Sequence, residues 1–448
     1  MKPLHDIFDE IVRAYKEKTH VSHEFYEKLR LTFPGGILHN IRFFKPYPFI
    51  VSRAREQHLY DLDCNEYTDY WMGHMALILG HTPKAVIEAI KRQSEHGTHF
   101  GTANAIAAEL GDRVRSLVPC AEKVRFCCSG TESTMYASRL MRAYTGNRII
   151  LKAEGGWHGG NLPLHKGVTS PFEIPESRGI LPEEVANTKT FVYNDVEGAR
   201  RSIHRHRDDL AGVIVEPVQG GAIPAHTEFL KALREETEAL DVLLAFDEVI
   251  TGFRLGLGGG QEYYHVTPDL CTLGKVLGGG MPIGAVCGSD ELMALVDPTS
   301  TKLKGDFTWI GGGTFSGNPM TMTAGNAMLR LLANAEGSVY GKINRLAEWA
   351  RTDIDTIFSE YDVPSYTGGL TSLLMTFFLT AEGLPVTSKT HVITNTDPQL
   401  QHAYYLYLMT HAGIFFLPAH TGAVSYAHED EDIDRMLEAT VNFARLIR

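Results

Sequence analysis

The sequence predicts an α/β protein: a large domain with a mostly parallel sheet wrapped by helices, together with a smaller α+β part. Three observations carry this reading. Between about residues 108 and 320, short β-rich apolar runs at 124–127, 148–151, 212–216, 242–246 and 269–273 alternate with helical segments, the pattern of strands linked by crossover helices. The length of 448 residues exceeds what one hydrophobic core normally supports. Hydrophobic residues make up 44% and charged residues 21%, both near globular averages, so the whole chain should fold.

In chain order, 7–33 reads as a helical arm that ends at Pro34-Gly35-Gly36. Strand-like runs follow at 49–53 and 58–63, with a turn at Asp63-Cys64-Asn65. After the alternating region, 321–333 and 340–359 have the periodicity of long amphipathic helices and lead to a small α+β tail. The expected division is 1–70 for the arm and part of the small domain, 71–325 for the large domain and 326–448 for the rest of the small domain.

A formal net charge of -12 argues against a general nucleic-acid or anionic-membrane surface. The longest apolar stretches, such as 373–379, fall well short of a membrane span, which needs about 20 residues. The start, Met1-Lys2-Pro3-Leu4-His5-Asp6, leads into an acidic amphipathic helix rather than an apolar signal segment, so a cytoplasmic protein is expected. The six cysteines lack the paired spacings of a zinc site or a disulfide framework, and Cys127-Cys128 reads as small core residues. His204-Arg205-His206 lies in a charged helical stretch and reads as a solvated face. No metal is expected.

The chemistry concentrates at two strand ends. Five apolar residues, 242–246, run into Asp247-Glu248-Val249, and Leu270-Cys271-Thr272-Leu273 runs into Gly274-Lys275-Val276. A buried carboxylate needs a cationic or donor partner to remain ionised. A lysine set among apolar residues and glycines must lose much of its basicity, which makes it a nucleophile or base. An acid and an amine so placed are the pair that pyridoxal phosphate chemistry uses, the lysine as Schiff base and the acid holding the proton on the pyridine nitrogen. The plainer readings are an aspartate capping a turn and a surface lysine on a loop. The lysine segment is not a Walker loop, because Asp269 stands where the first glycine belongs and Val276 where the magnesium-binding hydroxyl belongs. Gly256-Leu257-Gly258-Gly259-Gly260-Gln261 fails the Rossmann fingerprint at its last position.

Ser129-Gly130-Thr131-Glu132-Ser133 follows an apolar strand and opens a helical stretch, so backbone N–H groups and hydroxyls there suit a phosphate; an ordinary N-cap is the alternative. Trp157-His158-Gly159-Gly160 could lay an aromatic face on a flat ring, or Trp157 could pack in the core.

With these residues in view, the chain resembles a class III aminotransferase of pyridoxal phosphate fold type I, in the subgroup of glutamate-1-semialdehyde aminomutase. The likeness covers about 35–434. Its most specific stretches are Asp247-Glu248-Val249-Ile250-Thr251-Gly252-Phe253-Arg254, 272–282, and Gly312-Gly313-Thr314-Phe315-Ser316-Gly317-Asn318-Pro319. The resemblance implies a seven-stranded-type sheet between helices and a smaller domain built from both termini. It implies pyridoxal 5′-phosphate on Lys275, Asp247 at the ring nitrogen, and Val249 and Trp157 on the two ring faces. It places Ser129, Gly130 and Thr131 on the phosphate, with Thr314 reaching it from the second subunit of a homodimer with shared active sites. His158 and Glu216 join the cofactor-binding set.

Within this subgroup an amino group can move between molecules or within one, or a proton can be stripped and replaced. The aminomutases resemble one another in Pro-Gly-Gly-Val-Asn-Ser-Pro-Val-Arg, where this chain has Pro34-Gly35-Gly36-Ile37-Leu38-His39-Asn40-Ile41-Arg42. Their Glu-Pro-Val-Ala-Gly-Asn appears as Glu216-Pro217-Val218-Gln219-Gly220-Gly221, so Gly221 replaces the Asn that reaches the ring's phenolic oxygen. A Glu expected shortly after Pro418 is also missing, with Thr421-Gly422-Ala423 in that region. These departures favour an aminotransferase acting on an amino acid and a keto acid, with the aminomutase and an amino acid racemase as alternatives. Arg42 offers a bidentate fork to a substrate carboxylate, or pairs with an acid on the surface. The loop 299–313 holds Phe307, Trp309 and Ile310, which could line an apolar substrate pocket or pack in a dimer interface. A catalytically idle relative is the remaining class, and an intact Lys275, Asp247 and phosphate loop argue against it.

Overall fold

The structure, a computed structural model, describes residues 3–299 and 307–448. Residues 300–306, part of the loop singled out above, lie outside the described residues. The chain forms two compact units. The first comprises Met1–Pro83, Gly341–Val386 and Thr394–Arg448, and the second Lys84–Tyr340 and Thr387–Ile393.

The second unit is built on seven strands: β1 (Lys123–Cys127), β2 (Ile149–Ala153), β3 (Thr188–Phe191), β4 (Leu210–Val215), β5 (Leu243–Glu248), β6 (Leu270–Gly274) and β7 (Gly284–Gly288). Their order is β1-β7-β6-β5-β4-β2-β3, and β7 runs antiparallel to both its neighbours. The neighbours β6-β5, β5-β4, β4-β2 and β2-β3 are all parallel, so six strands share one direction. Central strands are buried along their whole length, as expected of a parallel sheet covered on both faces.

The sequence reading does not anticipate β3 or β7. The glycines of β7 explain the second omission: a Cβ on Gly284 would lie 2.1 Å from the Ser129 carbonyl oxygen, so this strand must lack side chains where it passes the start of α1 (Gly130–Thr145). Helix α1 buries Tyr136, Ala137, Leu140 and Met141 against Ile150, Ala211, Ile214, Leu243 and Ala245, a stripe at i, i+1, i+4, i+5 spacing that faces the sheet. Gly146, at φ 73°, ends it with a left-handed cap.

The first unit carries a four-stranded sheet of Val51–Arg55, His58–Asp61, Glu66–Asp69 and Ile414–Phe415, and a three-stranded sheet of Ser365–Gly368, Leu373–Phe378 and Gly422–Ala423. The expected arm is two helices, Leu4–Lys18 and His20–Arg30, broken at Thr19, whose hydroxyl bonds back to the Tyr15 carbonyl. Beyond Asp69 the backbone makes a full turn in the left-handed region, with φ of 44° at Met72, 57° at Gly73, 64° at His74 and 62° at Met75. Each non-glycine residue there costs roughly 1–2 kcal/mol. The turn is held at its start by Asp69, whose Oδ1 accepts from the N–H groups of Trp71 (2.8 Å) and Met72 (3.1 Å) and whose Oδ2 meets His81 Nε2 at 2.8 Å.

Candidate active site

Because six strands of the second unit are parallel, the loops after β1, β2, β4, β5 and β6 leave the same edge of the sheet, where open α/β sheets bind ligands. Nearly all the residues singled out from the sequence in this unit sit on those loops.

Asp247 closes β5 and is 4% exposed. Its Oδ2 lies 2.7 Å from His158 Nδ1, and its Oδ1 accepts from Thr272 Oγ1 (2.9 Å) and the Val249 N–H (3.1 Å). Thr272 stands opposite Asp247 in the β5-β6 register, so sheet pairing itself delivers this hydroxyl. Facing a carboxylate, His158 Nδ1 carries the proton and Nε2 is left as a bare acceptor; Nε2 is buried without a hydrogen-bond partner among the described residues. Burial holds the imidazole below its usual pKa, against the opposing pull of Asp247. Glu248 points to the other face of β5, where Thr251 Oγ1 and Gln261 Nε2, both at 2.9 Å, and the Gly260 N–H fix the following loop.

Lys275 follows β6 directly and has φ 45°, a left-handed residue that is not glycine. Such strain collects at functional sites. Burial lowers the pKa of its amine, while the charges of Asp247 and Glu216 act to raise it.

Val249 is wedged between glycines: a Cβ on Gly130 would lie 2.9 Å from Val249 Cγ1, and one on Gly274 3.2 Å away. Any side chain at Gly130 would therefore displace Val249. Ser129 is the N-cap of α1, its Oγ accepting from the Glu132 N–H at 3.2 Å, while Glu132 Oε2 accepts from the Cys128 N–H at 2.6 Å. The N–H groups of Gly130 and Thr131, in the first turn, have no partner within the helix. Thr131 Oγ1 accepts weakly from the Gly160 N–H at 3.4 Å.

Trp157 is 47% exposed and meets His165 edge-on at 5.6 Å, so it does not pack in the core. The Trp157 backbone N–H donates to Glu216 Oε1 at 3.0 Å, and Glu216 Oε2 accepts from the Gly220 N–H at 3.0 Å. Burial, with Asp247 as the second cause, pushes the Glu216 carboxyl up to about 7. Because this folded value exceeds the ordinary 4.5, the stability it contributes is complete below about pH 4.5 and lost as pH rises through 7. Glu216→Gln in cofactor-free protein is therefore expected to flatten that dependence and to gain about 2 kcal/mol on the wild type at pH 8, after a loss at the Gly220 contact. Urea unfolding at pH 5 and pH 8 measures it; an equal difference at both values would contradict it.

Lys152 was not singled out from the sequence. It is fully buried at the end of β2, and its Nζ donates to the carbonyls of Gly156 (2.7 Å), Lys166 (2.8 Å) and Leu164 (3.1 Å). Three donors meet three acceptors, and they clamp the base of the loop that carries Trp157 and His158. Burial lowers its pKa to about 8. The signal was a lysine directly after four apolar-rich strand positions.

Thr314 is exposed, in the turn after Gly312 and Gly313; Gly312 N–H donates to Tyr136 Oη at 3.0 Å, which seats this segment beside α1 of its own chain. Ile310 lies in the core against α1, Trp309 is exposed, and Phe307 stands 6.2 Å from Trp309 between ring centres. Arg42 belongs to the first unit, exposed in the short turn Asn40–Arg42. Among the described residues no cluster of three or more His, Cys, Asp or Glu is placed to hold a metal ion, and no helix is long and apolar enough to cross a membrane.

A buried aspartate at a strand end, a strained lysine on the next strand and a helix N-terminus beside them define a site of the kind that holds a phosphorylated aromatic aldehyde. The family description Aminotransferase class-III matches residues 43–439, and the chain belongs to that family. A glutamate-1-semialdehyde 2,1-aminomutase of Methanosphaera stadtmanae is 36% identical over 423 residues, 93% of this chain and 96% of that protein. A β-phenylalanine aminotransferase from Variovorax paradoxus superimposes with a TM-score of 0.89 at 29% identity, over 98% of this chain and 97% of that one. A transaminase solved with pyridoxal phosphate bound gives 0.86 at 31% identity, over 96% and 98%. The protein is thus a pyridoxal phosphate enzyme with the type I fold.

The residues present fit that cofactor. Asp247, held by Thr272 Oγ1, the Val249 N–H and His158 Nδ1, would face a protonated ring nitrogen, and the first-turn N–H groups of α1, beside a Gly130 that brings the backbone close to Val249, would take the phosphate.

Proposed function

We propose that this chain transfers an amino group from an amino acid to a keto acid. Lys275 Nζ would hold the cofactor through its aldehyde as an imine, with loss of water, and its amine, once freed by the substrate's own amino group, would be the base that takes the proton from the substrate Cα. The bound cofactor supplies an electron sink for the pair left when the Cα–H bond breaks. Asp247 keeps a proton on the ring nitrogen, and His158 orients Asp247. Val249 and Trp157 would take the two faces of the ring, and Glu216 would join the residues that hold the cofactor. Ser129, Gly130 and Thr131 take the phosphate, with Thr314 contributed by the second copy of a homodimer, and Arg42 takes the substrate carboxylate.

The observation that favours transfer between molecules is Gly221: at φ 78°, and without a side chain, it stands where the aminomutase pattern has an amide. A second reading, the intramolecular aminomutase, is favoured by the name of the 36%-identical relative, and the relatives weigh toward it more than toward the first. Mixing the cofactor-loaded protein with single L-, D- and β-amino acids and with glutamate-1-semialdehyde, and following loss of the yellow absorption, separates the two. Conversion to the amino form of the cofactor with release of a keto acid is the expected result. Reaction with the semialdehyde alone, giving 5-aminolevulinate and no keto acid, would establish the aminomutase instead.

A further inference from the structure

The first unit contains a second assembly of groups with recognisable chemistry, formed by three of its own loops. Arg42 ends the turn Asn40–Arg42 and directs Nε at His74 Nε2, 3.4 Å away. His74 is presented by the left-handed turn of Met72, Gly73, His74 and Met75. Its ring lies 4.4 Å from Trp71 and 5.6 Å from His39, and Trp71 is in turn 5.7 Å from His420. The third loop is strained as well, with Ala419 at φ 62°.

The hydrogen-bond roles fix the charges of His74 and His39. A guanidinium can only donate, so His74 Nε2 accepts and that imidazole is neutral with its proton on Nδ1. His39 Nδ1 accepts from the Ile41 N–H at 3.4 Å, and burial, with Arg42 second, holds its pKa down. His420 Nδ1 lies 2.9 Å from the Pro418 carbonyl, to which it donates. Arg42 is therefore the one fixed cation of this group, and no carboxylate among the described residues lies within ion-pair distance of it. An exposed arginine beside the neutral imidazoles of His74 and His39 and the Trp71 ring, on loops held in conformations that L-residues avoid, is arranged for an incoming anion rather than for packing. Buried Asp69 supports the arrangement by anchoring the strained turn through two backbone N–H groups.

We propose that His74 is a positioning residue that holds the Arg42 guanidinium for a substrate carboxylate, which makes the enzyme selective for amino donors bearing a carboxylate over simple amines. This deepens the amino-transfer reading and rests on it in taking the anion to be the donor's carboxylate. The Arg42–His74 contact is long at 3.4 Å, as such bonds often are before substrate binds and tightens them.

Calorimetric titration of the cofactor-loaded protein with 3-phenylpropanoate and with the uncharged 3-phenylpropanol tests it without turnover. The wild type is expected to prefer the carboxylate. His74→Leu should weaken the carboxylate roughly tenfold and leave the alcohol unchanged, and His74→Gln, whose amide oxygen can accept from Nε, should recover most of the loss. In turnover with a reactive amino acid, His74→Leu should raise KM with kcat nearly kept. No carboxylate preference in the wild type, unchanged carboxylate binding in His74→Leu, or equal loss of both probes in both variants would overturn the proposal. Carboxylate preference that depends on His74 in a protein that transfers no amino group from any donor would leave this inference standing and sink the amino-transfer reading.

Discussion

Lys275→Ala is expected to abolish the yellow absorption of the loaded protein and to lower turnover by about 10³-fold or more, since both the covalent link and the proton carrier disappear. The fold should not suffer. Alanine at φ 45° meets the same left-handed penalty as lysine, so backbone strain is unchanged. The lost amine was itself unfavourably buried: burial lowers its pKa, so in the unloaded protein its charged form is worth less folded than unfolded. The cofactor-free variant should therefore melt at or above the wild-type temperature at neutral pH while its turnover is lost. Lys275→Gly should melt higher still, by relief of about 1 kcal/mol of strain. Absorbance spectra, thermal melts and single-turnover rates decide it. An alanine variant that retains a tenth of wild-type turnover would remove Lys275 from the proposed role.

Much of this arrangement was legible in the sequence because the features are local. Strands β5 and β6 announce themselves as apolar runs that stop abruptly at Asp247 and Lys275, and a serine with a glutamate three positions later announces the start of α1. What was not legible depends on distant backbone. Lys152 looks like a strand-end lysine bound for solvent until a loop four to fourteen residues later folds three carbonyls over it. The glycines of β7 speak against a strand by propensity, and their reason is the approach of the Ser129 carbonyl from another part of the chain. The left-handed turn at Met72 to Met75 contains one glycine, and its residue types give no sign that His74 adopts φ 64°; Asp69 caps only the start of the turn, through the N–H groups of Trp71 and Met72. Departures from local rule of this kind gather at sites in both units, where surrounding structure overrides what a segment would choose alone.

Asp247→Asn is expected to be the more informative substitution because it changes charge with almost no change of shape. The amide oxygen, in the place of Oδ1, can still accept from Thr272 Oγ1 and the Val249 N–H. The amide nitrogen then replaces Oδ2 opposite His158 Nδ1, which leaves two donors face to face at 2.7 Å. His158 must surrender the Nδ1 proton and take the other tautomer, and that places an N–H at Nε2, where no partner exists among the described residues. Both the anion that holds the ring proton and the imidazole that orients it are thereby lost. Loss of the anion that holds the ring proton is expected to lower kcat by roughly 10²–10³-fold, which is about 3–4 kcal/mol of barrier. KM should move little, since Arg42 rather than Asp247 is proposed to grip the substrate. A cofactor methylated at the ring nitrogen carries a permanent positive charge and needs no proton there. It should restore a large part of the lost rate in Asp247→Asn while giving the wild type no gain. A variant within about fivefold of wild type, or equal response of both proteins to the methylated cofactor, would show that the ring nitrogen is not what Asp247 serves.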